Sequence, residues 1–337
     1  MEEKSTVAPK STDAKPVEEE KKNKVNPDDY RAPEVKQVEE AKVKPVAPAP
    51  ASGAKPAAPA FKIESAKQRE RYLNGLFYGE YGVGKSTLVA TACEVEKMQD
   101  VIFINAEAGD ASIEGYDLDL ITISNYNQFA RVHEFLRLHC KFRDAYMESK
   151  QDKNSEAYQK LTKLEAMFRG VEPEEITEPK MYKTVCVDTL TEVQKYCMYQ
   201  LLGITVGTFA LDMEPEIPQF AEWNRSAEMI RLLVRSFRDL PMNALFVCAR
   251  SEEQDQLKRY HYNPLLPGKL ANEVQGFFDV VGYLVSAPTE GGETHRRLWI
   301  TPGQTFKAKH RFRDFEGRYI DNPTMADLVK YSLRRND

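Results

Sequence analysis

Hydrophobic and polar positions divide the chain into two unequal parts. Residues 1–60 are Lys, Glu, Pro and Ala with hardly an aromatic, and end in the run VKPVAPAPASGAKPAAPA. A segment of that kind is semi-extended and cannot bury a core, so 1–60 is expected to be a disordered arm. A folded domain is expected over 61–320, followed by a tail at 321–337. Phe61 and Ile63 close the arm and are apolar enough to dock on the domain or on a neighbouring subunit.

Within the domain the pattern alternates between short apolar runs and helical periodicity. Leu76-Phe77-Tyr78 is a short strand, and Leu88-Val89-Ala90 with Ala92-Cys93 gives the apolar face of a helix. Val101-Ile102-Phe103-Ile104 is a continuous apolar run of the type buried on both faces, and Leu120-Ile121-Thr122-Ile123 adds another strand. From Tyr126 to about Tyr146, Phe129, Val132, Phe135 and Leu136 fall on one helical face. The heavily charged stretch that follows repeats the pattern at Tyr158, Leu161, Leu164 and Phe168. It reads as a solvated helical excursion over about 140–180. The chain returns to the sheet at Thr184-Val185-Cys186-Val187-Asp188. A helix from Glu192 to about Leu202 and another over Phe220 to Leu240 are separated by a loop containing Gly203, Gly207, Pro215 and Pro218. Ala244 to Ala249 is the next buried strand, ending at Arg250, and Phe277–Val285 and Arg297–Thr301 complete the set. Strands alternating with helices imply an α/β fold with a mainly parallel sheet flanked by helices.

Composition narrows the class. A net charge of −5 over 337 residues argues against a wholly basic nucleic-acid coat protein, though not against a local basic patch. The five cysteines (Cys93, Cys140, Cys186, Cys197, Cys248) form no CxxC pair, as expected for a reduced, cytoplasmic protein without a disulfide framework or zinc site. No signal peptide is visible at the acidic N-terminus, and no apolar stretch is long enough to cross a bilayer, so no membrane partner is expected.

The chemistry lies between the first strand and its helix. Gly79-Glu80-Tyr81-Gly82-Val83-Gly84-Lys85-Ser86-Thr87 matches the P-loop pattern, with Gly79 and Gly84 framing the loop and Lys-Ser following. Glycines let successive N–H groups turn inward around a phosphate chain. Lys85 would reach the β- and γ-phosphates, Ser86 would sit on Mg²⁺, and the helix N-terminus would face the anion. The strand–loop–helix context distinguishes a true P-loop from a chance match. Asp188, at the end of an apolar strand, is placed to hold Mg²⁺ as the Walker B carboxylate. Thr189 follows it where many ATPases have a glutamate, so the group that orients the attacking water must come from elsewhere. Glu107 is the first candidate, on a strand expected to lie beside the P-loop strand, and Glu192 is the fallback.

Phe103-Ile104-Asn105-Ala106-Glu107 resembles the strand and catalytic glutamate of RecA-type recombination ATPases. GEYGVGKST, VCVDTLTE, LPGKLANEVQGFFDVVGYL and KAKHRFR together resemble the phage RecA-like ATPases of single-strand annealing and recombination, over residues 70–315. The resemblance implies a RecA-like P-loop NTPase core hydrolysing ATP with Mg²⁺ on single-stranded DNA, in the host cytoplasm if phage-encoded. It also implies a homo-oligomer in which Lys309 and Arg311 reach a neighbour's γ-phosphate, with Arg250 as a γ-phosphate sensor. DNA would be met by Lys258, Arg259, Tyr260, His261 and Tyr262, whose cations and aromatics suit phosphate contact and base stacking. A preceding loop, around 203–219, carries Asp212, Glu214 and Glu216, which repel phosphate and depart from a RecA-style filament.

Other readings remain open at the level of sequence. One is an ATP-gated loader or interaction protein in phage replication, whose arm recruits a single-strand-binding or replication protein. Another is a nucleotide kinase, although no Arg-rich lid is visible. A GTPase would need an N/T-K-x-D motif, which does not follow Asp188.

Overall fold

The apolar runs become strands and the periodic stretches become helices in the computed structural model, which describes residues 71–107, 109–204, 216–288 and 294–332. The arm at 1–60, Phe61, Ile63, Asp212 and Glu214 lie outside the described residues. In chain order the elements begin with β1 (Asn74–Gly79), α1 (Lys85–Ala90), β2 (Val101–Asn105), β3 (Asp119–Thr122), α2 (Tyr126–Glu148) and α3 (Glu156–Arg169). There follow β4 (Thr184–Asp188), α4 (Leu190–Leu201), α5 (Phe220–Arg238), β5 (Asn243–Gln254), β6 (Tyr260–Pro264) and α6 (Leu270–Glu273). The last are β7 (Val280–Pro288), β8 (Thr294–Trp299), β9 (Lys309–His310), β10 (Tyr319–Asp321) and α7 (Met325–Ser332).

The sheet runs β10-β8-β7-β1-β5-β4-β2-β3, with β6 on β5 and β9 on β7. The strands from β7 to β3 are parallel, and the remaining pairings are antiparallel. Every residue of β2 and β4 is buried, as a strand covered by helices on both faces requires. Alternation sends Tyr78, Ile104, Val187 and Phe246 into a core beneath α2, α4 and α5. It sends Phe77, Phe103, Cys186 and Val247 into a second core beneath α1 and α7. All five cysteines are buried and unpaired. Among the described residues no helix is long and apolar enough to cross a membrane.

Three expectations need correction. β2 does not lie beside β1, because β5 and β4 fill the two places between them. β5 is wholly buried over Asn243–Ala249, which suits a central slot better than an edge. Residues 321–332 are not a tail. Met325, Leu328 and Val329, spaced as one helical face, are buried against the second core, and the Met325 N–H donates to Thr91 Oγ1 at 2.8 Å. The excursion over 140–180 is anchored rather than solvated all round. Leu161 and Leu164 are buried, Phe168 packs on Phe135 at 4.6 Å, and Arg169 bridges Glu165 and Asp119.

Candidate nucleotide site

β1 delivers the chain to the C-terminal edge of the sheet, where Gly79 leaves it under close quarters. A Cβ at Gly79 would strike the Leu284 carbonyl of β7. Gly82 and Gly84 have φ of 74° and 90°, left-handed values that favour glycine. Gly84 caps α1, its carbonyl accepting from the Leu88 N–H at 3.0 Å. The Lys85 side chain is turned into the loop. Only 7% of the residue is exposed, Nζ donates to the Glu80 carbonyl at 2.5 Å, and it stands 5.6 Å from the Tyr81 ring centroid. Burial lowers its pKa, opposed first by Asp188 and then by Glu107. Both carboxylates therefore act on the P-loop ammonium.

Asp188 ends β4 and is 4% exposed. Burial raises its pKa to about 6; Glu107 adds to the rise, while a hydrogen bond from Ser86 and the Lys85 charge oppose it. Its Oδ1 has no hydrogen-bond partner. A buried carboxylate oxygen left unmatched beside a serine hydroxyl is a hard oxygen donor pair, the kind Mg²⁺ prefers. No group of three His, Cys, Asp or Glu that could cage a metal exists among the described residues. The pair thus fits Mg²⁺ carried by nucleotide phosphates, held by Ser86 and Asp188, where the ion would neutralise phosphate charge.

Glu107 arrives by a different route from the one its sequence position implied. The Ala106 N–H donates to the Asp188 carbonyl at 2.6 Å, so the end of β2 is tied to the end of β4. The Glu107 N–H is held by Asn105 Oδ1 at 3.1 Å, and the Ala106 carbonyl accepts from Tyr196 Oη at 2.9 Å. Glu107 itself is exposed. Glu192 is occupied otherwise, paired with Lys195 at 2.5 Å on its own helix. Thr189 caps that helix, and Thr191 Oγ1 accepts from the Ala249 N–H at 3.1 Å, locking α4 to β5.

Arg250 reaches the loop through Glu80, with which it forms an ion pair. It also donates to Tyr283 Oη at 3.0 Å and lies 4.5 Å over the Tyr262 ring. Tyr78, Tyr283 and Tyr262 form one stack, at centroid separations of 5.0 and 5.6 Å. Tyr262 is therefore packed inward. In the same hairpin Arg259 and His261 are both tied to Asp255, at 2.8 and 3.0 Å, which leaves Lys258 and Tyr260 as its exposed cation and aromatic. The five residues are thus adjacent in the chain but do not form one basic, stacking surface, because Arg259 and His261 are bonded to Asp255 and Tyr262 packs inward.

Lys309 and Arg311 are not brought to this loop. Lys309 pairs with Val281, near the start of β7, whereas Leu284 of β7 is the residue level with Gly79. β9 is two residues long, so Arg311 lies outside it and is not held on one strand face with Lys309. Its guanidinium is bonded to Asp279 and the Gly276 carbonyl, each at 3.1 Å. Two features were not visible in the sequence: the tyrosine stack under Arg250, and Arg296 of β8, whose guanidinium lies against Gly84. Both depend on long-range pairing of β7 with β1 and β8, for which the chain carries no local signal.

A glycine loop around a buried lysine, with a serine hydroxyl and a buried carboxylate beside it, defines a P-loop nucleotide-binding protein. Residues 71–312 match the family described as an AAA domain (AAA_24), and the chain belongs to that P-loop NTPase family. No curated protein matches the sequence. Among solved structures the chain is similar to the RadB recombinase, at 15% identity and a TM-score of 0.35, over 74% of this chain and 86% of that one. It is also similar to the flagellar accessory protein FlaH of Methanocaldococcus jannaschii, at 10% identity and a TM-score of 0.31, over 74% and 84%.

Proposed function

We propose that the protein is a RecA-like, Mg²⁺-dependent ATPase that couples hydrolysis to single-stranded DNA, in the recombination or annealing role implied by its phage-like motifs. The observation that carries the ATPase reading is the unpartnered Oδ1 of Asp188, buried beside Ser86 and Lys85. Glu107 orients the attacking water in this reading. Its exposed carboxylate acts electrostatically on Lys85 and Asp188, while Glu192 is tied to Lys195. DNA would be met by Lys258 and Tyr260 on the hairpin, which connects to the loop through Tyr262, Arg250 and Glu80. Lys309 and Arg311 would act on a neighbouring copy's nucleotide, since Lys309 lies level with Val281, three residues before the β7 residue beside Gly79, and Arg311 is bonded to Asp279 and the Gly276 carbonyl.

The test is single-turnover hydrolysis by Glu107→Gln and Glu192→Gln alongside wild type. Glu107→Gln is expected to bind ATP and stall, with Glu192→Gln turning over. The reverse pattern would transfer the role to Glu192.

A further inference from the structure

β8 approaches the P-loop from the flank opposite to the metal-binding pair. Asp188 ends β4 and Glu107 follows the end of β2, strands reached from β1 through β5, whereas β8 lies beyond β7 on the other side. Arg296 of β8 lies on the α1 face of the sheet, two residues before buried Leu298. Its guanidinium is laid over Gly84: a Cβ there would stand 2.8 Å from Nη1 and 3.0 Å from Cδ. The backbone of Arg296 is fixed from both sides. Its N–H donates to Asn322 Oδ1 at 3.2 Å and its carbonyl accepts from the Asn322 N–H at 2.7 Å. No carboxylate or carbonyl among the described residues engages the guanidinium, although neighbouring Arg297 is fully committed to Asp321. A half-buried arginine whose guanidinium has no protein partner among the described residues and lies against a glycine of the nucleotide loop offers the fork geometry that suits a phosphate.

We infer that Arg296 is a phosphate-binding residue of this site, gripping the nucleotide in cis from its nucleoside end. The inference rests on the P-loop reading above. Ser86 and Asp188 would hold Mg²⁺ together with the terminal phosphates on the β4 flank. The β8 flank is then left to the α-phosphate side, common to ATP and ADP. Loss of Arg296 weakens both nucleotides alike, and the effect reads out in KM and in the ADP dissociation constant rather than in kcat.

The experiment uses the full chain and two variants, Arg296→Met, which keeps the apolar stem, and Arg296→Lys, which keeps the charge. ATP and ADP affinities are measured by titration with fluorescent analogues, and KM and kcat by steady-state hydrolysis. For Arg296→Met both dissociation constants and KM are expected to rise roughly ten- to hundredfold, the usual effect of one charge-assisted hydrogen bond. Arg296→Lys should recover part of that loss. Melting temperature without nucleotide should match wild type, while the upward shift caused by ADP shrinks. Unchanged ADP affinity in Arg296→Met would overturn the inference, as would a fall in kcat at unchanged KM. A melting temperature lowered without nucleotide, with the ADP-induced shift intact, would make Arg296 a packing residue. Wild-type protein that binds neither nucleotide would refute the P-loop reading itself.

Discussion

Asp188 carries two opposed demands. Its buried carboxylate prepares a metal site, yet burial disfavours the ionised form and raises its pKa to about 6. Because the folded value exceeds the ordinary carboxylate value of about 4, the stability this group contributes is full below that value. It is lost as pH rises through the folded pKa. Nucleotide-free protein should therefore lose up to about 3 kcal/mol from this group between about pH 3 and pH 7, roughly 1 kcal/mol of it between pH 5 and pH 7. Asp188→Asn should recover most of that difference in chemical denaturation at pH 7 while losing Mg²⁺-dependent nucleotide binding. An Asn variant no more stable than wild type would show that the carboxylate is not penalised. In wild type, Mg²⁺-dependent nucleotide binding should weaken as pH falls below about 6, since protonated Asp188 no longer attracts the ion.

At the scale of elements, a single buried arginine ties α2 to the rest of the sheet. Arg143 is 6% exposed and donates to the Tyr182 and Pro241 carbonyls, each at 2.7 Å, just ahead of β4 and β5. Arg143→Met removes both bonds and strands two buried acceptors, at an expected cost of about 3 kcal/mol. Urea midpoints of wild type and variant measure it, and a difference below about 1 kcal/mol would contradict the assignment. The element scale is also where the sequence was most legible. β4 falls where the apolar run TVCVD placed it, and α2 begins at the predicted Tyr126, because burial on one or both faces writes itself into local periodicity. Strand order was not legible. Nothing within VIFIN or NALFVCA says that two later strands separate β2 from β1; only the completed sheet does. The same limit hid Arg296, and it misplaced Lys309 and Arg311 on one strand face. At the site, Lys85, Ser86 and Asp188 were legible because motif and strand end coincide. The roles of Arg259 and His261 were obscured by Asp255, whose position beside them depends on the hairpin turn.

For the whole molecule, the nucleotide loop and the exposed hairpin are joined by a continuous chain of contacts. It runs from Glu80 through Arg250 to Tyr262 and Tyr283. Arg250→Ala is expected to reduce stimulation of ATPase activity by single-stranded DNA more than it reduces the rate without DNA. Equal loss in both would confine Arg250 to the nucleotide site. Deleting residues 1–60 should leave hydrolysis intact while removing any arm-dependent partner, and a loss of turnover would give the arm a part in the ATPase itself. The most direct measurement is steady-state ATP hydrolysis by wild type and Lys85→Ala, with and without Mg²⁺ and a single-stranded oligonucleotide, over rising salt. The expected result is Mg²⁺-dependent turnover, abolished in Lys85→Ala, and stimulated by DNA less strongly as salt displaces phosphate contacts. Turnover by Lys85→Ala at the wild-type rate would contradict the nucleotide site, and turnover indifferent to DNA would favour an ATP-gated loader.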